Sequence, residues 1–194
     1  MTTFTVEKSS LRNLAGKTVL ITGGSSGIGL CTAELFYSLS NDNNIVVLDL
    51  NPPPASPLTA SDRFLFQPCD VTSWKDQRAA FKAAVQKFGH LDVVFVNAGI
   101  AEYGDQFFTD KLDAEGELAE PDRRVVNVNL HAADDSVKLA IHHLRKQKKG
   151  GSIVITTSLA GYLASAGAPL YSAAKHGSWI GSPLFAFPFL QPNK

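Results

Sequence analysis

A glycine-rich turn lies directly between a run of β-branched residues and a helical pattern. The run is Lys17–Thr22, the turn reads Thr-Gly-Gly-Ser-Ser-Gly-Ile-Gly, and the helical pattern covers Gly27–Leu39. A chain that passes from strand to helix over so few residues must turn sharply, and glycine permits the necessary φ values. The first amides of the helix are left free to bind negative charge. The feature predicts a strand–turn–helix unit that holds the pyrophosphate of a dinucleotide.

The glycine turn is weak support when it stands alone, because a tight turn without a ligand can look the same. Its glycines follow the spacing Gly-x3-Gly-x-Gly and not the more widespread Gly-x-Gly-x2-Gly. The residues of the turn predicted to lie against a cofactor are Gly23, Ser25, Gly27, Ile28 and Gly29.

A carboxylate ends the second β-branched run, Asn44–Asp49, and strengthens the dinucleotide interpretation. Asp49 follows Gly29 by 20 positions, where a carboxylate accepts hydrogen bonds from the adenosine ribose hydroxyls and repels a 2′-phosphate. No Arg or Lys occurs in the turn or immediately after Asp49 to bind that phosphate. NAD(H) is therefore predicted in preference to NADP(H). The alternative is that Asp49 merely begins the proline-rich turn at Pro52-Pro53-Pro54.

Strand and helix patterns alternate along the chain. The predicted strands are Lys17–Thr22, Asn44–Asp49, Arg63–Gln67, Leu91–Val96 and Ser152–Thr157. The predicted helices are Gly27–Leu39, Ser73–Phe88, a long one that begins near Pro121, and one that carries Tyr171. Apolar strands that alternate with helices indicate a parallel sheet covered on both faces. The fold class predicted is α/β, a Rossmann-type doubly wound parallel sheet with strand order 3-2-1-4-5.

Tyr171 and Lys175 are four residues apart, so on a helix they share one face. Tyrosine is a poor proton donor or acceptor near neutrality because its ordinary pKa is about 10. A lysine ammonium beside the phenol favours the phenolate and brings the pKa toward neutrality. The Tyr-x3-Lys spacing alone is common and has no diagnostic value.

Further motifs stand around this pair, in an order that resembles the short-chain dehydrogenase/reductase family. They are Asp70-Val71 after the third strand, Asn97-Ala98-Gly99 after the fourth, Asn129 in Val128-Asn129-Leu130, and Ser158 at the end of the fifth strand. With the glycine turn, Tyr171 and Lys175, the resemblance covers residues 17 to 181. It implies an oxidoreductase that moves a hydride between a nicotinamide cofactor and an alcohol or ketone.

The resemblance also implies catalytic roles. Tyr171 would exchange a proton with the substrate oxygen, and Ser158 would hold that oxygen by a hydrogen bond. Lys175 would bind the nicotinamide ribose and tune Tyr171, while Asn129 would anchor a water that relays protons past Lys175. Taken alone, Asn129 could also mark a helix kink or be a buried polar residue.

The resemblance places the remaining motifs on the nucleotide. Asn97, Ala98 and Gly99 would line the ribose side of the cofactor, Asp70 would lie beside the adenine amino group, and Val71 would contact the adenine ring. Asp70 read alone could equally be a helix cap.

Charge and composition narrow the partners. Eighteen basic and eighteen acidic residues balance, so the chain has no electrostatic reason to bind nucleic acid or an anionic membrane. The two cysteines, Cys31 and Cys69, are far apart and the five histidines lack zinc-ligand spacing, so neither a disulfide framework nor a metal site is predicted. Without a signal peptide or an apolar run of about 20 residues, a cytoplasmic location is predicted. The resemblance implies a homodimer or homotetramer.

The last residues depart from the family pattern. The helix that carries Tyr171 is predicted to end near Ile180-Gly181, and residues 182–194 form an atypical tail with three prolines and three phenylalanines. The resemblance implies a sixth strand, a substrate loop with its helix, and a seventh strand after this point. Residues 1–181 are therefore expected to be an incomplete Rossmann-type domain whose fifth strand is an open edge. A non-catalytic dinucleotide-binding remnant or regulator is the alternative function.

Overall fold

The computed structural model describes residues 11, 13–147 and 149–185, with side chains as far as residue 178. Five strands alternate with helices. In chain order the elements are β1 (Thr18–Thr22), α1 (Gly27–Leu39), β2 (Asn44–Asp49), β3 (Phe64–Pro68), α2 (Trp74–Phe88), β4 (Val93–Val96), α3 (Arg124–Val126), α4 (Ala132–Lys146), β5 (Ser152–Ile155) and α5 (Pro169–Phe185). A π-helical turn, Asn127–His131, joins α3 to α4, and a 3-10 turn, Leu159–Gly161, follows β5.

The strands form one parallel sheet in the order β3-β2-β1-β4-β5. Because every strand runs in the same direction, all the carboxyl ends lie along one edge of the sheet. Ligands of open α/β sheets bind at that edge, where the strand order reverses on either side of β1. The predicted fold class and the predicted strand order are both confirmed.

The core has two parts, one on each face of the sheet. Successive residues of a strand point to opposite faces, so Leu20 packs with Phe81 and Leu144 on one face, and Ile21 packs with Ala33 on the other. All five side chains are fully buried or nearly so. The apolar strands are therefore covered by α2 and α4 on one side and by α1 on the other.

The helical region before β5 differs from the prediction at its start. Its first helical residue is Arg124 and not a residue near Pro121. The carboxylate of Asp122 accepts the Arg124 N–H at 3.0 Å and so ends the preceding loop. A short polar side chain that competes for backbone amides in this way sets a helix start that apolar periodicity does not reveal.

The end of α5 also differs from the prediction. The helix continues to Phe185, past Gly181 and through Pro183, so the expected end near residue 181 is wrong. The predicted boundary between a domain and a tail falls inside this helix, and residues 186–194 of that tail lie outside the described residues.

Strand β5 is the outer strand of the sheet, as the sequence predicted, and within the described part of the chain it pairs with β4 alone. Val154 at its middle is 49% exposed, whereas the five residues of central β1 are all buried.

In the described residues no helix is both long and apolar enough to cross a membrane.

The side chains of Asp92, His90 and Lys149 meet at the amino-terminal edge of the sheet. Buried Asp92 accepts the Thr18 N–H at 2.9 Å and lies 3.0 Å from His90 Nε2 and 3.0 Å from Lys149 Nζ. Burial alone would raise the pKa of Asp92, but the Thr18 hydrogen bond, Lys149 and His90 together hold that pKa below its ordinary value of 3.8. The carboxylate thus joins the start of β1 to the start of β4.

Replacing Asp92 by asparagine is expected to lower the free energy of unfolding at neutral pH by about 1–3 kcal/mol, because the buried network loses its negative charge and one of its two acceptor oxygens. A carboxyl whose pKa is lower in the folded chain stabilises it above the unfolded pKa, and this contribution disappears as the pH falls through the folded pKa. The free energies of unfolding of the wild type and the variant, measured by chemical denaturation, should therefore converge at a pH below the ordinary carboxyl pKa. Exposed Asp62→Asn is the matched control, and a destabilisation by Asp92→Asn that is the same at every pH would contradict this account.

Candidate active site

A cleft of about 630 Å³ opens at the carboxyl edge of the sheet, between the starts of α1 and α5. It brings together most of the predicted site residues, namely Gly23, Gly27, Ile28, Asn97, Ala98, Gly99, Ser158, Tyr171 and Lys175. The predicted residues that do not line it are Ser25, Gly29, Asp49, Asp70, Val71 and Asn129.

The glycine turn is built around close backbone contacts. Gly23 has a φ of +65°, and a Cβ there would lie 2.8 Å from the Ala98 Cα. A Cβ on Gly29 would lie 2.1 Å from the Gly23 carbonyl oxygen, so no side chain fits between the turn and α1. Ser26 precedes α1 without a side-chain cap, and the first turn of this helix carries no acidic residue. These unoccupied amides suit a phosphate group.

Asp49 lies at the end of β2, beside the glycine turn. Its carboxylate accepts the Ser25 N–H at 3.0 Å and the Leu50 N–H at 2.8 Å, which fixes it beside the glycine turn. The Ser25 hydroxyl is buried next to it without a hydrogen-bond partner. A half-buried carboxylate and an unpaired hydroxyl at the end of β2 fit the hydroxyl groups of an adenosine ribose.

Asp70 and Val71 lie in the turn between β3 and α2. Asp70 is exposed, and its carboxylate accepts the Thr72 N–H at 2.9 Å and the Thr72 hydroxyl at 2.7 Å. Ser73 is the N-cap of α2, so the alternative reading of Asp70 as the helix cap is wrong. The Val71 carbonyl accepts a hydrogen bond from buried Gln77 at 2.6 Å, which ties this turn to the core.

The segment after β4 is held by hydrogen bonds from both neighbouring strands. Thr22 Oγ1 accepts the N–H groups of Asn97 and Ala98, at 2.9 and 3.1 Å. The Asn97 amide donates to the Thr22 and Gly23 carbonyls, and its oxygen accepts the Thr156 hydroxyl at 3.0 Å. Sequence reasoning missed both threonines, although each stands at the end of a strand adjacent to β4.

Lys175 is buried, being only 4% exposed, and it points toward Tyr171. Its Nζ donates to the Thr156 carbonyl at 2.9 Å and lies 5.8 Å from the centre of the Tyr171 ring. Desolvation lowers the pKa of Lys175 below its ordinary value. The ammonium makes no ion pair with any described carboxylate, so two of its three hydrogens remain free for a ligand.

Ser158 lies at the start of the 3-10 turn after β5. Its Oγ accepts the Ala160 N–H at 3.2 Å, which orients the side chain and leaves the hydroxyl hydrogen available to a ligand in the cleft. Tyr171, Ser158 and Lys175 thus line the same cleft as Gly23, Gly27 and Ile28 of the glycine turn.

Asn129 lies in the π-helical turn and is buried outside the cleft wall. Its side chain accepts the Ile100 N–H at 2.8 Å and donates to the Ile100 carbonyl at 2.9 Å. Its own carbonyl accepts the Ser178 hydroxyl at 3.0 Å. The alternative reading as a buried polar residue fits this geometry, and the water relay stays a prediction.

Glu102 is a cleft residue that sequence reasoning missed. Its Oε2 accepts the backbone N–H of Tyr171 at 2.8 Å, across 69 positions of the chain. No local pattern marks such a contact, although the lack of a polar residue immediately before α5 is a signal that its amides need a distant acceptor. In the described ranges, no group of three or more His, Cys, Asp and Glu side chains is placed to hold a metal ion.

Comparison with known proteins identifies the class. The short chain dehydrogenase family model matches residues 17–179, and the chain belongs to this family. It is 41% identical over 177 residues to the short-chain dehydrogenase/reductase prx4 of Penicillium rubens, an alignment that covers 91% of this chain and 51% of the relative. It is 37% identical over 169 residues to momilactone A synthase of Oryza sativa, covering 85% and 58% of the two chains. The chain therefore spans between half and two thirds of the length of these curated relatives.

Solved structures show the same fold. Carveol dehydrogenase from Mycobacterium avium, in complex with NAD, is 25% identical with a TM-score of 0.71, over 89% of this chain and 65% of that one. Ligand-free aldohexose dehydrogenase from Thermoplasma acidophilum is 26% identical with a TM-score of 0.74, over 92% and 64% of the two chains.

Proposed function

We propose that this chain is a nicotinamide-dependent oxidoreductase that moves a hydride between NAD(H) and an alcohol or ketone, with Tyr171 as the general acid and base. The observation that carries the proposal is one cleft lined both by residues of the glycine turn and by Tyr171, Lys175 and Ser158. Membership of the short-chain dehydrogenase family supports it. Two related structures, a carveol dehydrogenase and an aldohexose dehydrogenase, agree with an alcohol substrate.

The residues present fit a dinucleotide. The open amides of α1 would bind its pyrophosphate, Asp49 and Ser25 the adenosine ribose, and Asp70 with Val71 the adenine. Asn97-Ala98-Gly99 would line the second ribose, where Lys175 has free hydrogens to donate. The nicotinamide, when bound, supplies the hydride donor or acceptor.

The proton chemistry belongs to the chain itself. In alcohol oxidation the Tyr171 phenolate takes the hydroxyl proton of the substrate, and in ketone reduction the phenol returns a proton to the oxygen. Lys175 stabilises the phenolate by its positive charge across the 5.8 Å that separates its Nζ from the ring centre. Ser158 holds the reacting oxygen with its free hydroxyl hydrogen. The role of Asn129 in relaying protons through a water is part of the proposal, as is assembly of the chain into a homodimer or homotetramer in the cytoplasm.

NADH is expected to bind at least about tenfold more tightly than NADPH, because a 2′-phosphate beside Asp49 would suffer like-charge repulsion worth about 1.4 kcal/mol or more. Asp49→Asn should reduce the ratio of the NADPH Kd to the NADH Kd, measured by fluorescence titration with both nucleotides. Asp70→Asn is the matched control, since the adenine is common to both cofactors and both affinities should fall alike. Equal affinities in the wild type would overturn the NAD(H) preference.

The proposed activity is tested by oxidation of cyclohexanol, 1-phenylethanol and carveol in the presence of NAD⁺, followed by the absorbance of NADH. We expect turnover of at least one secondary alcohol, and none by a chain that carries Gly29→Val, in which a side chain would displace the glycine turn. Turnover by that variant at the wild-type rate would contradict the proposed cofactor site.

A further inference from the structure

The start of α5 lacks a cap of its own. The helix begins at Pro169, and the preceding residues Gly167-Ala168 carry no side-chain oxygen. The first amides of a helix have no partner within it and are usually satisfied by a Ser, Thr, Asp or Asn at the N-cap. Ser172 is the first amide here to bond back, to the Ala168 carbonyl at 2.9 Å. The Tyr171 amide therefore needs an acceptor from elsewhere in the fold.

Glu102 provides that acceptor. Its Oε2 lies 2.8 Å from the Tyr171 nitrogen, where a carboxylate is also favoured by the positive end of the helix dipole. Its Oε1 is buried without a hydrogen-bond partner. The bond to Tyr171 is thus the only hydrogen bond of this carboxylate within the described residues.

The segment that carries Glu102 is itself fixed. Asn129 bonds both the N–H and the carbonyl of Ile100, two residues before Glu102. The Asn129 carbonyl accepts the hydroxyl of Ser178, which belongs to α5. Three contacts and the backbone between Ile100 and Glu102 therefore form a closed circuit. The circuit runs from Tyr171 through Glu102, Ile100 and Asn129 back to Ser178 of α5.

The circuit holds α5 at two points on the face that carries the chemistry. Tyr171 and Ser178 are seven residues apart, with Lys175 between them, so all three lie on one side of the helix. Glu102 fixes the Tyr171 end and also lies three residues after Gly99, on the segment that lines the cofactor side of the cleft. The Glu102 contact thus links the Tyr171 end of α5 directly to the segment that follows Gly99.

We infer that Glu102 is a positioning residue that sets the place of Tyr171 against the cofactor-lining segment. The inference rests on the proposed function for its catalytic consequence, while the contact itself is independent of it. A displacement of about 1 Å in a reacting group can reduce a rate about 100-fold. Loss of the Glu102 contact should therefore lower turnover without a comparable change in nucleotide affinity.

The test compares Glu102→Ala and Glu102→Gln, with exposed Glu115→Ala from the same loop as the control. Hydrogen exchange of the peptide that contains Tyr171 is measured in each chain, together with the Kd for NADH and the kcat and KM for cyclohexanol oxidation. In Glu102→Ala we expect exchange of the Tyr171 amide to be about tenfold faster or more, the equivalent of a lost hydrogen bond. We also expect kcat to be about 10- to 100-fold lower, with KM and the NADH Kd within about twofold. Glutamine retains an acceptor oxygen and should restore both exchange and kcat.

Two results would overturn the inference. One is unchanged exchange at Tyr171 in Glu102→Ala, and the other is a glutamine variant as impaired as the alanine variant. Failure of the wild type to bind NADH, or to oxidise any of cyclohexanol, 1-phenylethanol and carveol, would count against the proposed function instead, because the exchange comparison needs neither nucleotide nor substrate.

Discussion

Replacing Tyr171 by phenylalanine is expected to remove nearly all alcohol oxidation while the affinity for NADH stays within about twofold. The variant loses one hydroxyl group and keeps the ring against which Lys175 Nζ lies at 5.8 Å. Positioned acid–base groups contribute about 100- to 10,000-fold to a rate, so a loss of about 1,000-fold in kcat is expected. The phenolic proton is needed only at the reacting oxygen, so the loss falls on the transition state and not on nucleotide binding.

The measurement is steady-state oxidation of the preferred alcohol, paired with a fluorescence titration of NADH. Tyr103→Phe is the matched control, because Tyr103 is 72% exposed and does not line the cleft. A Tyr171→Phe chain that retains most of its turnover would exclude the phenol as the proton donor and acceptor.

Replacing Lys175 by methionine is expected to impair both turnover and the binding of NADH. Methionine keeps an unbranched apolar side chain but removes the ammonium that donates to Thr156 and would bind the nicotinamide ribose. We expect kcat to fall by at least about 100-fold through the loss of phenolate stabilisation. The NADH Kd should rise by about tenfold, the equivalent of about 1.4 kcal/mol. A variant that changes kcat alone would show that Lys175 does not contact the nucleotide.

Lys175→Met should not lower the free energy of unfolding, in contrast to its effects on kcat and on NADH binding. Burial lowers the pKa of Lys175 in the folded chain, so at neutral pH the charged group opposes folding, and this penalty disappears as the pH rises past the ordinary value of 10.5. The variant should therefore be at least as stable as the wild type at neutral pH, measured by chemical denaturation. A clear destabilisation at neutral pH would mean that the bond to Thr156 outweighs the desolvation of the ammonium.

Local patterns predicted most of the fold. The β-branched run at Asn44–Asp49 became β2 with the same bounds, and the helix over Gly27–Leu39 was also located correctly. Both depend on apolar spacing and on glycine, which act between neighbours in the chain. The parallel sheet was predicted from the alternation of strands with helices and its order from the Rossmann-type fold, and the structure confirms both.

The same local patterns could not predict contacts between distant segments of the chain. The Glu102 bond to Tyr171 spans 69 positions, and the side chain of Asn129 binds the backbone of Ile100 across 29. Neither contact leaves a periodic signal in the sequence, because each is decided by how loops and helices meet after the sheet has formed. The start at Arg124 was missed for a different reason, since the prediction rested on the preference of proline for the first turn of a helix, and Pro121 lies three residues before that start.

The central claim, hydride transfer in this cleft, is tested most directly by isotope transfer. The chain is incubated with NADH deuterated at the hydride position and with cyclohexanone, acetophenone or carvone, and the alcohols formed are analysed by mass spectrometry. We predict deuterium at the carbinol carbon of at least one product with the wild-type chain, and none with Tyr171→Phe. Saturable binding of NADH without deuterium in any product would contradict the claim and would favour a chain that binds the dinucleotide without catalysing its oxidation.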